Sequence, residues 1–178
     1  SHNPFVFNGL KIKSSFGTSV EASFTKAVEE FLGQETVKKT SQTLKSFSPT
    51  DSYISFLKSK INIKALKNSR GRIIFDTMHG SGGDVIKKLF NENPKFEILR
   101  NARDPMFGGT SPEPIEKNLE LLMHRVKETH ASVGLAIDGD GDRLGVVDET
   151  GKYHPPHHVF PLILLHLIKN RKLRGKIL

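Results

Sequence analysis

Three aspartates, Asp138, Asp140 and Asp142, stand at alternate positions in the segment Ile137-Asp138-Gly139-Asp140-Gly141-Asp142-Arg143, with glycine between them. Glycine lets the backbone curl, so carboxylates at this spacing can turn their oxygens onto one hard divalent cation. Without a cation they repel one another. A plain Asp/Gly hairpin turn needs one or two such residues rather than three, so the spacing points to metal. With Asp138 at its first position, the EF-hand template is met at Asp140, Asp142 and Glu149, but its sixth position needs glycine and holds Arg143. The flanks also read as strands rather than helices. An octahedral ion offered three carboxylates takes a further oxygen, and a phosphate is the natural donor to Mg2+. The planar fork of Arg143, beside the cluster, suits the same phosphate.

The elements needed to position these groups are visible as hydrophobic periodicity. Ala131 to Ile137 and Leu144 to Val147 read as strands on either side of the aspartate loop. Upstream, Arg72 to Asp76 reads as a buried strand, Gly80 to Gly83 as a turn into a helix over Asp84 to Glu92, and Phe96 to Leu99 as the next strand. A proline-rich loop from Asp104 to Pro114, with no site assigned to it, leads into a long helix over Ile115 to Thr129 that turns Ile115, Leu119, Leu122 and Val126 inward. Asp51 is placed as the cap of a helix bearing Tyr53, Ile54, Leu57 and Ile61. Val20 to Leu32 forms an amphipathic helix ended at Gly33, and Gln34 to Ser48 a linker. Pro156 to Asn170 reads as a last apolar helix, and a new strand begins at Lys176. Alternating strands and helices imply an α/β fold with a mixed, mostly parallel sheet and flanking helices.

Composition narrows the function classes. The 178 residues include no Cys, which excludes disulfides, thiolate zinc sites and a Cys nucleophile. The run from Val159 to Leu165 is broken by Pro161 and falls short of the ~20 residues a bilayer requires, so no membrane span is expected. The first residues carry neither a basic nor an apolar leader region, and a cytoplasmic location follows as the default. The net charge of +8 is uneven, with residues 104–151 net acidic between basic flanks. Lys38, Lys39, Lys58, Lys60, Lys64 and Lys67 alternate with Ser, Thr and Asn, which describes a solvated face and not a nucleic-acid surface. His154, His157, His158 and His166 cluster near the C-terminus but lack a paired spacing on one helix face or a nearby carboxylate, and they and His79 read as surface or cap histidines.

The first residues, Ser1-His2-Asn3-Pro4, are followed by Asn8-Gly9-Leu10-Lys11, a polar loop with a glycine turn that enters a strand. On its own, Lys11 reads as an exposed strand lysine. Taken with Asp-Gly-Asp-Gly-Asp-Arg downstream, these segments resemble the α-D-phosphohexomutase superfamily, the phosphoglucomutases and phosphomannomutases. Further segments agree: Phe75 to Gly83, Asp104 to Pro114, and Val146-Val147-Asp148-Glu149-Thr150-Gly151. The resemblance implies that Ser1 is the serine whose phosphate is exchanged with the sugar and is itself a metal ligand. It makes Asp138, Asp140 and Asp142 the Mg2+ ligands, Lys11 the proton-transfer residue, and Arg143 the arginine facing the phosphoserine. It further implies a phosphorylated hexose substrate, a hexose 1,6-bisphosphate intermediate, and no nucleic-acid or membrane partner. Residues 1–48 would then be the end of the phosphoserine domain with its linker, 49–152 the metal-binding α/β domain, and 153–178 the start of a third domain. Such a fragment, lacking the sugar-recognition and distal phosphate loops, is expected to be inactive alone. Neither the preferred sugar nor the oligomeric state is encoded in these residues.

Two other classes share the aspartate loop. A Mg2+-dependent phosphatase of the haloacid-dehalogenase kind needs Asp-x-Asp-x-Thr or Val near the beginning of its core, but here the loop lies late and Asp142-Arg143 replaces that ending. A non-catalytic module for phosphorylated ligands is favoured only by the positive charge. The three differ in where covalent phosphate resides: on Ser1, on an Asp, or nowhere.

Overall fold

The computed structural model describes residues 5–7, 9–34, 48–90 and 92–177. Ser1 and nearly all of the linker lie outside the described residues. The described residues of 6–48 form one compact unit, and those of 49–178 with Phe5 form another. In the first, helix α1 (Ala22–Glu29) forms where the amphipathic stripe predicts, yet buries none of its residues. The strand expected after Gly9 reduces to a single antiparallel bridge, Lys13 to Ser19, closed by a turn through Gly17 at φ +78°.

The second unit runs α2 (Thr50–Lys60), α3 (Ile63–Asn68), β1 (Ile73–Asp76), α4 (Gly83–Phe90), β2 (Phe96–Leu99), α5 (Glu120–Thr129), β3 (Val133–Ile137), β4 (Leu144–Asp148), β5 (Tyr153–His154) and α6 (Pro156–Lys169). The strands build one mixed sheet in the order β2-β1-β3-β4-β5. Strand β1 pairs in parallel with β2 and with β3, whereas β3–β4 and β4–β5 are antiparallel. Connection length explains the division. Parallel neighbours need a long crossover, which the segments containing α4 and α5 supply, while the stretches after β3 and β4 are long enough only for hairpins.

Alternation along β1 sends its side chains to opposite faces of the sheet. Ile74 packs in a fully buried cluster with Leu119, Leu122, Val126, Ala136 and Val147 beneath α5. Phe75 and Ile73 join Ile54, Leu89, Phe90 and Phe96 on the other face, where Phe75 stacks on Phe90 at 5.1 Å between ring centroids. Withdrawing each large apolar side chain from water contributes roughly 1.5–3 kcal/mol. Helix α5 lies close to β3 because Gly134 has no side chain there; a Cβ would stand 2.8 Å from Val126 Cγ2 and 2.9 Å from Leu122 Cδ1.

Three further expectations need correction. The helix placed over Ile115 to Thr129 is broken: a 3-10 turn at Glu116–Asn118 precedes α5. The Asn118 side chain donates to the Glu113 carbonyl at 2.9 Å and Arg100 takes the Asn118 carbonyl at 3.1 Å, which pulls that carbonyl out of a helical ladder. Asp51 is not a cap; it sits in the first turn of α2 and pairs with Lys88 at 2.9 Å. A separate helix, α3, follows a real cap, Asn62, whose side chain accepts from the Ala65 N–H at 2.9 Å. The strand expected from Lys176 is irregular chain as far as described. No described helix is long and apolar enough to cross a membrane.

Candidate functional site

Strand β1 is the branch point of the sheet. Its connection through α4 leads to β2 on one side, and β3, reached past α5 on the opposite face, pairs on the other. In α/β sheets the crevice at the carboxyl ends of two such diverging strands is where ligands bind. Here it lies between the end of β1, running on through Thr77 to Ser81, and the end of β3, running on through Asp138.

Asp138 is 1% exposed at that point, whereas Asp140 and Asp142 are exposed. Its Oδ1 accepts the backbone N–H groups of Asp142 at 2.8 Å and Arg143 at 3.0 Å, which fold the loop back on itself. Its Oδ2 is buried with no hydrogen-bond partner among the described residues. Burial raises the Asp138 carboxyl above its ordinary range. The two backbone donors work against that rise, and the neighbouring Asp140 carboxyl adds to it. One carboxylate oxygen from each of Asp138, Asp140 and Asp142 lies within 4.8 Å of the others. A buried oxygen without a donor, flanked by two more carboxylates, is a donor set for a hard divalent cation. The residues present fit such an ion.

The loop is fastened on both sides. Ser81 N–H donates to the Gly139 carbonyl at 2.9 Å, and Gly139 N–H donates to the Pro112 carbonyl at 3.2 Å. Arg143 Nη1 donates to Glu113 Oε1 at 3.1 Å. The Pro112-Glu113-Pro114 stretch, assigned only a connecting role from sequence, thus forms one wall of the site. The signal was a carboxylate between two prolines, a rigid carrier for a charged side chain. Sequence reasoning also missed Asp76, wholly buried at the end of β1 and held by Arg100, whose Nε and Nη2 donate to its Oδ1 and Oδ2 at 2.8 and 2.5 Å. An Asp closing a buried strand was the available sign. Beside the loop opens a cleft of about 510 Å3 lined by His79, Ser81, Asn101, Arg103, Asp104 and Gly139. His79 is not simply a surface histidine: its Nδ1 lies 2.8 Å from the Ala102 carbonyl. Asp104 is held below its ordinary pKa by the N–H groups of Met106 and Gly108.

Among the predicted residues, the structure brings Asp138, Asp140, Asp142 and Arg143 into one loop. Ser1 falls outside the described residues, and Lys11, exposed, belongs to the other compact unit. His154 corrects the reading that no carboxylate stands near the C-terminal histidines. Antiparallel pairing sets it opposite Val146, and its Nε2 donates to Asp148 Oδ2 at 2.6 Å. With Thr150 and the Lys152 N–H also donating, the His154 ring foremost, the Asp148 carboxyl lies far below its ordinary range. A carboxyl depressed in the folded chain contributes stability above its unfolded pKa of about 3.9 and loses it as pH falls through and below that value. We therefore expect Asp148→Asn to lower the melting temperature at pH 7 by roughly 2–6 °C, for about 1–2 kcal/mol of charge-assisted hydrogen bonding. The gap to wild type should hold above about pH 5 and narrow as the pH falls from there through the unfolded value toward the much lower folded one, and a gap of constant size across pH 3–7 in thermal scans would refute the linkage.

Residues 51–151 match the family described as phosphoglucomutase/phosphomannomutase, alpha/beta/alpha domain II. The chain is similar to the phosphoglucomutase/phosphomannomutase of Thermococcus kodakarensis, 30% identical over 168 residues, which are 92% of this chain and 37% of that protein. It is similar also to the phosphoglucosamine mutase of Nitrosococcus oceani, 31% identical over 188 residues, 99% of this chain and 40% of that one. A crystal structure of a putative phosphomannomutase from Thermus thermophilus superposes with a TM-score of 0.80 at 31% identity, covering 96% of this chain and 39% of the other. The chain thus spans well under half the length of the relatives it matches. Both the aspartate loop and the strands that present it lie inside the matched span, and the chain belongs to the phosphoglucomutase/phosphomannomutase family.

Proposed function

We propose that the protein carrying this chain interconverts hexose 1-phosphate and hexose 6-phosphate through a phosphoserine at Ser1 and a hexose 1,6-bisphosphate. The supporting observation is the convergence of three carboxylates, one of them the buried Asp138 with its orphaned Oδ2, on a fold shared with phosphosugar mutases. Asp138, Asp140 and Asp142, with a Ser1 phosphate oxygen, would hold Mg2+. When bound, that ion neutralises charge on the transferring phosphoryl group. Arg143, half-exposed and steadied by Glu113, would present its guanidinium to the same phosphate. In the forward half-reaction the Ser1 Oγ–P bond breaks while a bond forms from phosphorus to a hexose hydroxyl oxygen. Lys11 accepts the hydroxyl proton. After the bisphosphate reorients, its other phosphoryl group returns to Ser1 and Lys11 gives the proton back. The similar proteins include a phosphoglucomutase/phosphomannomutase and a phosphoglucosamine mutase, so a gluco-, manno- or glucosamine phosphate is the substrate class we assign. Phosphoryl transfer depends largely on positioning, and we expect no turnover from the 178 residues alone.

The location of covalent phosphate tests the reading. After incubation of the protein carrying this chain with glucose 1,6-bisphosphate and Mg2+, peptide mapping should find phosphate on Ser1, stable to hydroxylamine. A hydroxylamine-labile acyl phosphate on Asp138 would instead make it a phosphatase of the haloacid-dehalogenase kind. Stoichiometric binding with no covalent phosphate would leave a ligand-binding module.

A further inference from the structure

We infer that the turn joining β1 to α4, Met78 to Ser81, is the positioning device of the aspartate loop, and that Gly80 is its contact residue. The inference rests on the metal reading of Asp138, Asp140 and Asp142. Gly80 faces the backbone of the loop: a Cβ built there would stand 2.7 Å from the Gly139 carbonyl oxygen, 2.8 Å from Gly139 Cα and 2.9 Å from the Asp138 carbonyl oxygen. All three are main-chain atoms, which have no rotamer to yield. The next residue, Ser81, donates its N–H to that same Gly139 carbonyl at 2.9 Å. The turn therefore sets both how closely the residue after the buried ligand approaches and which way its peptide points, and through that peptide it aims Asp138 against Asp140.

The turn is itself held in an unusual shape. Met78 and His79 both have positive φ, 46° and 59°, which side chains other than glycine seldom adopt. Three hydrogen bonds maintain it: Met78 N–H to Asp76 Oδ1 at 3.0 Å, His79 N–H to the Arg100 carbonyl at 2.7 Å, and Gly80 N–H to the Thr77 carbonyl at 2.7 Å. Arg100 also clamps Asp76, so the buried pair that closes the sheet is what keeps the turn against the loop. Strain at a functional site persists only where the surroundings over-determine it, and these bonds are those surroundings.

Two measurements test this, with Mn2+ as the probe. Gly80→Ala should weaken Mn2+ binding roughly 10–100-fold, the size seen when groups supporting metal ligands are changed. Ile54→Ala, a change in the other core cluster made on α2, should leave it within about two-fold. Coupling between sites is reciprocal. In the wild-type chain, Mn2+ should therefore slow hydrogen exchange at the Ser81 amide as well as at the Asp142 and Arg143 amides, a readout that does not depend on the variant folding. Unaltered affinity in Gly80→Ala, or a Ser81 amide indifferent to Mn2+ while Asp142 is protected, would overturn the inference and leave the metal site standing. A wild-type chain that binds no Mn2+ would remove the metal reading and this inference together.

Discussion

Asp138→Ala will reduce divalent-cation affinity by more than about 100-fold, whereas Asp140→Ala and Asp142→Ala will each reduce it by about ten-fold. The three residues are chemically identical and differ in surroundings. Asp138 is withdrawn from water, while its partners are exposed. Unit charges 4 Å apart attract by about 4 kcal/mol at the effective dielectric of a partly buried site and by about 1 kcal/mol in bulk water. Each 1.4 kcal/mol is roughly a factor of ten. A water molecule can also take the place of an exposed ligand more readily than that of the buried Asp138 carboxylate. Asp138→Asn separates the ligand role from the structural one: its side-chain oxygen still accepts from Asp142 and Arg143, so the metal-free chain should keep its stability while binding is lost. Calorimetric titration with Mg2+ or Mn2+ reads both effects. Affinity untouched by Asp138→Ala would end the reading of this loop as a metal site.

Replacing Arg100 by Met is expected to cost about 3–5 kcal/mol of folding stability, the penalty for leaving a buried charge unpaired. Asp76 is fully buried, and Arg100 donates to both of its carboxylate oxygens while its Nη2 reaches the Asn118 carbonyl. The pair thereby ties the ends of β1 and β2 to the break before α5. Adding Asp76→Asn to the Arg100→Met background removes the stranded charge yet keeps an acceptor for the Met78 N–H, so more than half of the loss should return. Urea denaturation of wild type, single and double variants measures this. Equal stability of the single variant and wild type would show that the pair is not what closes the sheet.

The strands β1 to β4, the helices α4 to α6, and the aspartate loop between β3 and β4 were readable because each depends on neighbours in the chain. Buried strands are short apolar runs, helices carry a 3.6-residue stripe, and three carboxylates with glycine between them are a local pattern. The family was likewise readable, since its motifs are contiguous segments. Helix ends and breaks were not. The turn before α5 depends on Arg100 reaching Asn118 from another strand, and no periodicity within Ile115 to Thr129 contains that contact.

The same limit applies within the site. Sequence alone determined which residues could ligate a cation, because carboxylate chemistry and spacing are properties of the chain. It could not tell Asp138 from Asp140 and Asp142: one is buried with an orphaned oxygen and the others face water, a difference made by the packing of Gly80, Ser81 and Pro112 around Gly139. Arg143 with Glu113, His154 with Asp148, and Arg100 with Asp76 are pairs that strand register and loop path bring within hydrogen-bonding distance. Electrostatic energy depends on separation and on exclusion of water, and both are set by contacts between segments distant along the chain.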